Sequence, residues 1–211
     1  MRYTYKSLQA APQTDSEEIV IVGSPHGPLM ERAGFAAQLQ FDPESRTIYI
    51  LEGITEDLLQ RFLPTFQVLD STDGDINIVM SSPGGCVSEG LAIHAAIASA
   101  RNKVTITCMG YAYSMAAIIL QAADERVLEE NCRFMIHDGS GGVQGELGVL
   151  FSATTELSKT HSTALKILAQ RSGLTLEKVR DLSRAETYLS AREAAKLGFV
   201  DKVLKHRKKV K

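Results

Sequence analysis

The most constraining feature of this sequence is an alternation of apolar strand-like segments with helix-like segments between residues 46 and 137. Four segments read as strands because they are short, apolar and bounded by turn residues: Thr47–Leu51, Ile76–Met80, Val104–Cys108 and Phe134–Ile136. Helical segments fall between them, beginning at Thr55, Ser88 and Ser114, and Pro64 should kink or split the first. Strands and helices that alternate in this way form a parallel sheet, so the sequence predicts an α/β fold.

The remaining predicted elements lie after residue 139. A long helix should run from Glu146 to near Gln170, and its apolar stripe suits either a partner-facing or a core-facing helix. A short helix should start at Thr175, and a capping box begins another at Ser190. Phe199–Val200 reads as the last strand.

Candidate functional residues gather where the predicted strands end. Ser114 follows a strand and a Gly110 turn and opens a helix, where unpaired N–H groups can stabilise an oxyanion, although an ordinary N-cap serine would look the same. The turn Ser82–Gly85 reaches the same edge, so the N–H groups of Gly85 and Met115 are candidate oxyanion donors. His137 ends a buried strand there, and histidine is the common general base near neutral pH.

Composition narrows the function classes. The 211-residue chain has a net charge of -2, which gives no reason to expect a nucleic-acid partner. Its three cysteines are widely spaced, without the pattern of a metal site or a disulfide framework. Without an apolar stretch of membrane-spanning length or a secretion signal, we expect a cytoplasmic protein with no membrane partner. The basic tail 205–211 reads as a solvated terminus.

Five motifs in order give the chain a resemblance to the Clp protease proteolytic subunit family, over residues 46–204. They are Ser82-Pro83-Gly84-Gly85, Gly110-x-Ala112-x-Ser114-Met115-x-Ala117, Met135-Ile136-His137, Gly141-Gly142-x-Gln144-Gly145 and Leu189-Ser190-Ala191-x-Glu193-Ala194. The resemblance implies a crotonase-like fold, a repeated β-β-α superhelix with a protruding strand and helix handle at 139–172. Residues 1–45 form a divergent N-terminal segment outside it, which would serve an axial pore or partner docking.

The same resemblance implies site residues and partners. Ser114 would be the nucleophile, His137 the base, and Gly85 and Met115 the oxyanion donors. The family's acid lies two residues before the aromatic of its Leu-Ser-Ala motif, which here is Glu186, with Asp181 as the fallback. The implied protein is a homo-oligomeric serine endopeptidase of heptameric rings, stacked as a tetradecamer. It would hydrolyse unfolded polypeptides delivered by an AAA+ ATPase unfoldase, with no metal or organic cofactor.

Several departures keep two alternatives open. The acid position holds glutamate instead of aspartate, Tyr113 and Ala116 are larger than the family's usual residues, and Asp138-Gly139 follows the histidine in place of Gln-Pro. The chain could therefore be a non-catalytic ring subunit. A more distant alternative is a crotonase-type acyl-CoA hydratase or isomerase, which uses an oxyanion hole with carboxylate acid and base groups.

Overall fold

The computed structural model describes residues 40–206 except 141 and 143, together with 33, 34, 36 and 37. The predicted N-terminal segment 1–45 and the tail residues 207–211 therefore lie largely outside the described residues. In chain order the elements from residue 40 onwards are β1 (Phe41–Asp42), β2 (Thr47–Ile50), α1 (Glu56–Asp70), β3 (Ile76–Ser82), α2 (Val87–Ala98), β4 (Val104–Tyr113), α3 (Met115–Leu120), β5 (Glu125–Glu129), β6 (Arg133–Ile136), α4 (Leu147–Ser172), α5 (Leu176–Arg184), β7 (Thr187–Ser190), α6 (Ala191–Lys196) and β8 (Lys202–Leu204).

The eight described strands form one mixed sheet, with the order β1-β2-β3-β4-β5-β8 and a branch in which β6 pairs with β4 and β7 pairs with β6. The neighbours from β2 to β8 run parallel, as the βαβ rhythm predicted, and β1 adds an antiparallel edge. Apolar side chains of α1, α2 and α3 join those of the strands in one buried core. The predicted α/β fold is confirmed, and no helix in the described part of the chain has the length and apolarity to cross a membrane.

Strand β4 forks, and this fork positions the site. Its first half, Thr105–Cys108, pairs with β5, whereas Tyr111–Tyr113 pairs in parallel with β6. Gly110, which we predicted to form a turn after the strand, lies within β4 at φ +94, where the pairing with β3 shifts register. A glycine bulge of this kind bends the strand and changes its direction, so β4 continues beyond β5 to a new partner.

Two further predictions are corrected. Helix α1 is continuous through Pro64, so the proline does not split it. Pro64 is exposed, while the opposite face of the helix is anchored in the core by Leu58, Phe62, Phe66 and Leu69. Phe199 and Val200 are buried before β8 instead of forming a strand, and the pairing with β5 begins at Lys202.

The apolar stripe of helix α4, for which the sequence allowed either a core-facing or a partner-facing position, is buried over only part of its length. Leu165 and Leu168 near its C-terminus are buried in the core. The N-terminal half instead exposes large apolar side chains, with Leu147 69% and Phe151 67% exposed. The stripe is therefore core-facing at one end of the helix and uncovered at the other.

Candidate active site

Ser114 sits at a sharp turn between β4 and α3. Its backbone adopts φ +54 and ψ −120, a conformation that is rare and strained for a residue with a Cβ. The turn is held by a 2.9 Å hydrogen bond from the Ser114 N–H to the carbonyl of Met135 in β6. The hydroxyl does not cap α3, so Ser114 is not an ordinary N-cap serine.

The Ser114 hydroxyl instead contacts His137. Its Oγ lies 2.8 Å from His137 Nε2, which is hydrogen-bond distance. The forked strand explains this contact, because Tyr113 pairs with Met135 in parallel register and the chain leaves both strands at the same edge. A nucleophile and a base within hydrogen-bond reach are the geometric signature of an activated serine.

The glycine-rich turn after β3 packs directly against the serine turn. A Cβ on Gly84 would lie 2.6 Å from the carbonyl oxygen of Tyr113 and 2.8 Å from Ser114 Cβ, so only glycine fits there. The N–H groups of Gly85 and Met115 donate no hydrogen bond within the part of the chain that the structure describes. Neither N–H group is thus occupied by a partner in that part of the chain, which an oxyanion donor requires.

A groove of about 380 Å³ opens onto Ser114 and His137. Its walls come mainly from α4 and the segment 136–140, with a smaller part from α3, and the apolar residues include Met115, Ile118, Leu157, Ala164, Leu165 and Leu168. A mostly apolar cleft of this size, with a few convergent polar groups, is typical of ligand sites. The hydroxyl–imidazole pair therefore lies where a bound molecule would reach it.

The groove also contains polar residues that sequence reasoning missed as site residues. Asp138 and His161 contact each other at its wall, with Asp138 Oδ1 3.2 Å from His161 Nε2. His161 belongs to the helical stripe that includes Leu157 and Leu165, and that spacing was the signal that could have found it. The buried Ser183 also lines the groove, and its carbonyl accepts a 3.1 Å hydrogen bond from the Asp138 N–H.

Neither predicted acid makes a hydrogen bond to His137 within the described residues. Glu186 is exposed in the turn before β7, where its Oε1 accepts a 3.0 Å hydrogen bond from the Tyr188 hydroxyl. That hydrogen bond raises the pKa of the Tyr188 phenol. Asp181 is exposed on α5. The role of Glu186 therefore stays a prediction.

A metal site was not expected, and the described residues contain one group with suitable spacing. Glu129, Glu130 and His206 bring their ligand atoms within 4.8 Å of one another beyond the ends of β5 and β8. His206 Nε2 already lies 2.7 Å from a Glu129 carboxylate oxygen, so direct contact between the side chains accounts for the cluster. None of the three lines the groove.

An α/β protein with a hydrogen-bonded serine and histidine at the wall of an apolar groove falls in the class of candidate serine hydrolases. The family model of Clp protease matches residues 38–207. The ATP-dependent Clp protease proteolytic subunit of Chlorella vulgaris is 32% identical over 163 residues, which cover 75% of this chain and 81% of that protein. The chain therefore belongs to the Clp protease family, a family of proteases, and the resemblance predicted from its motifs is confirmed.

Proposed function

We propose that this chain is the proteolytic subunit of a Clp-type protease and hydrolyses peptide bonds of unfolded polypeptides through Ser114. One observation carries the proposal: the 2.8 Å contact between Ser114 Oγ and His137 Nε2 at the apolar groove. Membership of the Clp protease family supports the choice of a peptide as substrate. An extended peptide, unlike a folded domain, fits a groove of this volume.

The proposed reaction has two halves that share the same groups. His137 Nε2 removes the hydroxyl proton as Ser114 Oγ attacks the peptide carbonyl carbon, and the resulting oxyanion accepts hydrogen bonds from the Gly85 and Met115 N–H groups. His137 then gives its proton to the departing amine, leaving an acyl-enzyme. Water, deprotonated by His137, hydrolyses the ester and restores the Ser114 hydroxyl.

Glu186 is the proposed acid that orients His137. Strands β6 and β7 are antiparallel, with Met135 opposite Tyr188 and Ile136 opposite Thr187. Extending that register by one residue puts Glu186 opposite His137. A carboxylate there would approach the imidazole once it left the Tyr188 hydroxyl, and glutamate serves this role in some serine hydrolases.

The assembly proposed for the chain follows from its family. Subunits would adopt the β-β-α superhelix and form heptameric rings, stacked in pairs through the handle 139–172. The uncovered apolar side chains on the N-terminal half of α4, among them Leu147, Val149 and Phe151, support a contact there because water-exposed apolar patches favour burial. An AAA+ unfoldase would deliver substrates, in keeping with the words ATP-dependent in the name of the algal relative.

A fluorophosphonate probe and a fluorogenic peptide test the proposal on the purified protein. We expect the probe to label Ser114, and we expect Ser114→Ala and His137→Ala to lower kcat/KM by at least about 1000-fold. Ser140→Ala is the matched control, because Ser140 also lines the groove but makes no hydrogen bond to His137 among the described residues. Peptide hydrolysis that survives Ser114→Ala would refute the assignment.

The second candidate function is a non-catalytic ring subunit. The hydrogen bond from the Tyr188 hydroxyl to Glu186 favours a non-catalytic subunit, because the Glu186 carboxylate makes no hydrogen bond to His137 among the described residues. Such a subunit would be inactive alone and would contribute only when mixed with an active one. Unchanged peptidase activity in mixed rings that carry Ser114→Ala, together with an unlabelled Ser114, would identify it.

A further inference from the structure

Among the described residues, the Tyr188 hydroxyl is the only hydrogen-bond partner of the Glu186 side chain. The phenol oxygen lies 3.0 Å from Glu186 Oε1. Glu186 itself has φ +48, a left-handed conformation that is uncommon for a glutamate. Its backbone N–H donates to the Ser183 carbonyl at 3.1 Å, the same oxygen that the Asp138 N–H contacts. The backbone of the proposed acid is thus tied to the residue that follows the proposed base, while its carboxylate is held by Tyr188.

The imidazole of His137 has room for another partner. Its Nε2 contacts Ser114, and no other hydrogen bond to its ring occurs among the described residues. The last antiparallel pair of β6 and β7 is Ile136 with Thr187, so His137 and Glu186 are the next residues along the two strands. The same carboxylate therefore has two competing candidate partners, the phenol hydroxyl that it contacts and the imidazole next to the last strand pair.

The Tyr188 ring is held independently of its hydroxyl. It packs edge-to-face on Tyr113 with ring centroids 5.6 Å apart, and Tyr113 in turn packs on Tyr111 at 5.1 Å. Tyr188 is 48% exposed, so its hydroxyl is not enclosed by other groups. A phenylalanine at this position would keep the ring contact with Tyr113 and remove only the bond to Glu186.

We propose that Tyr188 is a positioning residue that holds the Glu186 carboxylate through its hydroxyl and so limits the fraction of molecules in which Glu186 reaches His137. This inference rests on the proposed function of Ser114 and His137. The Tyr188 hydroxyl disfavours contact between Glu186 and His137 in two ways. It stabilises the carboxylate in the outward position, in which Glu186 accepts the hydrogen bond from Tyr188. In addition, a carboxylate that already accepts a hydrogen bond is a weaker partner for a protonated imidazole.

The test is a set of four proteins assayed for peptide hydrolysis: wild type, Tyr188→Phe, Glu186→Ala and the double variant. We expect Tyr188→Phe to raise kcat roughly threefold to tenfold, because one hydrogen bond of this kind is lost from the outward state, with KM unchanged. In the Glu186→Ala background the same substitution should have no effect, since there is no carboxylate to release. Tyr113→Phe, which removes a neighbouring hydroxyl that makes no hydrogen bond to Glu186, should leave kcat unchanged.

The outcomes separate this inference from the proposed function. A lower kcat in Tyr188→Phe, or the same increase with and without Glu186, would overturn the positioning role while Ser114 is still labelled by the fluorophosphonate. Absence of labelling at Ser114 in every variant would overturn the proposed function and this inference with it. An increase confined to the proteins that retain Glu186 would establish it.

Discussion

The guanidinium of Arg126 gives a quantitative test of how the fold is held together. Arg126 lies in β5 with its side chain only 6% exposed. Its N–H groups make five hydrogen bonds, to Gln121 Oε1 at 2.7 Å, to the carbonyls of Arg171 at 3.2 Å and Gly198 at 3.0 Å, and to the Asp201 carboxylate at 2.9 and 2.5 Å. One side chain thus joins β5 to the end of α4 and to the segment before β8.

The expected cost of Arg126→Met follows from the partners that it leaves behind. Three acceptors, Gln121 Oε1 and two backbone carbonyls, lose their donor in or near the interior, at about 1 kcal/mol each. Asp201 is 39% exposed, so water can solvate it once Arg126 is gone. Its contribution is therefore smaller than the ~3–5 kcal/mol typical of breaking a fully buried ion pair. We expect Arg126→Met to lower the free energy of unfolding by about 4 kcal/mol in total, of which the three acceptors account for about 3.

Urea unfolding followed by circular dichroism, at one fixed protein concentration, measures this difference. Lys103→Met is the matched control, because Lys103 pairs with Glu125 at 3.4 Å but its side chain is 51% exposed. An exposed pair of this kind contributes less than about 1 kcal/mol. If Arg126→Met cost no more than Lys103→Met, the assignment of Arg126 as a buried structural link would be wrong.

Three further predictions concern the site, the pH dependence and a helix cap. Gly84→Ala should lower kcat/KM roughly 100-fold, because its Cβ would displace the Ser114 turn by about an ångström. Gly53→Ala, whose Cβ would meet nothing closer than 3.6 Å, should leave kcat/KM within about twofold of wild type. The hydrogen bond from Arg126 lowers the pKa of Asp201 below 3.8, so the stabilisation that the Asp201 carboxylate contributes is present above pH 3.8 and is lost as the pH falls through the pKa of the folded protein. The difference in unfolding free energy between wild type and Asp201→Asn in urea should therefore shrink as the pH is lowered. A difference that does not depend on pH would contradict this prediction. Ser190→Ala removes the capping box of α6 and should cost about 1 kcal/mol in the same assay, whereas no loss would mean that the cap is dispensable.

Local patterns in the sequence were sufficient for much of the architecture. The strands β2, β3 and β6 and the helices α1, α2 and α4 were predicted within a few residues, because their apolar spacing reports directly on which face is buried. Strand β5 was not predicted. Its sequence, Glu-Arg-Val-Leu-Glu, contains the buried Arg126. Because a charged side chain is predicted to be exposed unless its partners elsewhere in the chain are known, the segment did not match the pattern of a buried strand.

By itself the sequence determined the α/β class, the family and the two residues that meet at the groove, since turns, helix starts and motif spacing are properties of neighbouring residues. The tertiary structure decided how those residues meet. The fork in β4 brings Ser114 to His137, the antiparallel return of β7 pairs Thr187 with Ile136 next to that histidine, and packing on Tyr113 puts the Tyr188 hydroxyl within reach of the Glu186 carboxylate. Strand register and side-chain rotamers depend on contacts between segments far apart in the chain, and no local pattern records them.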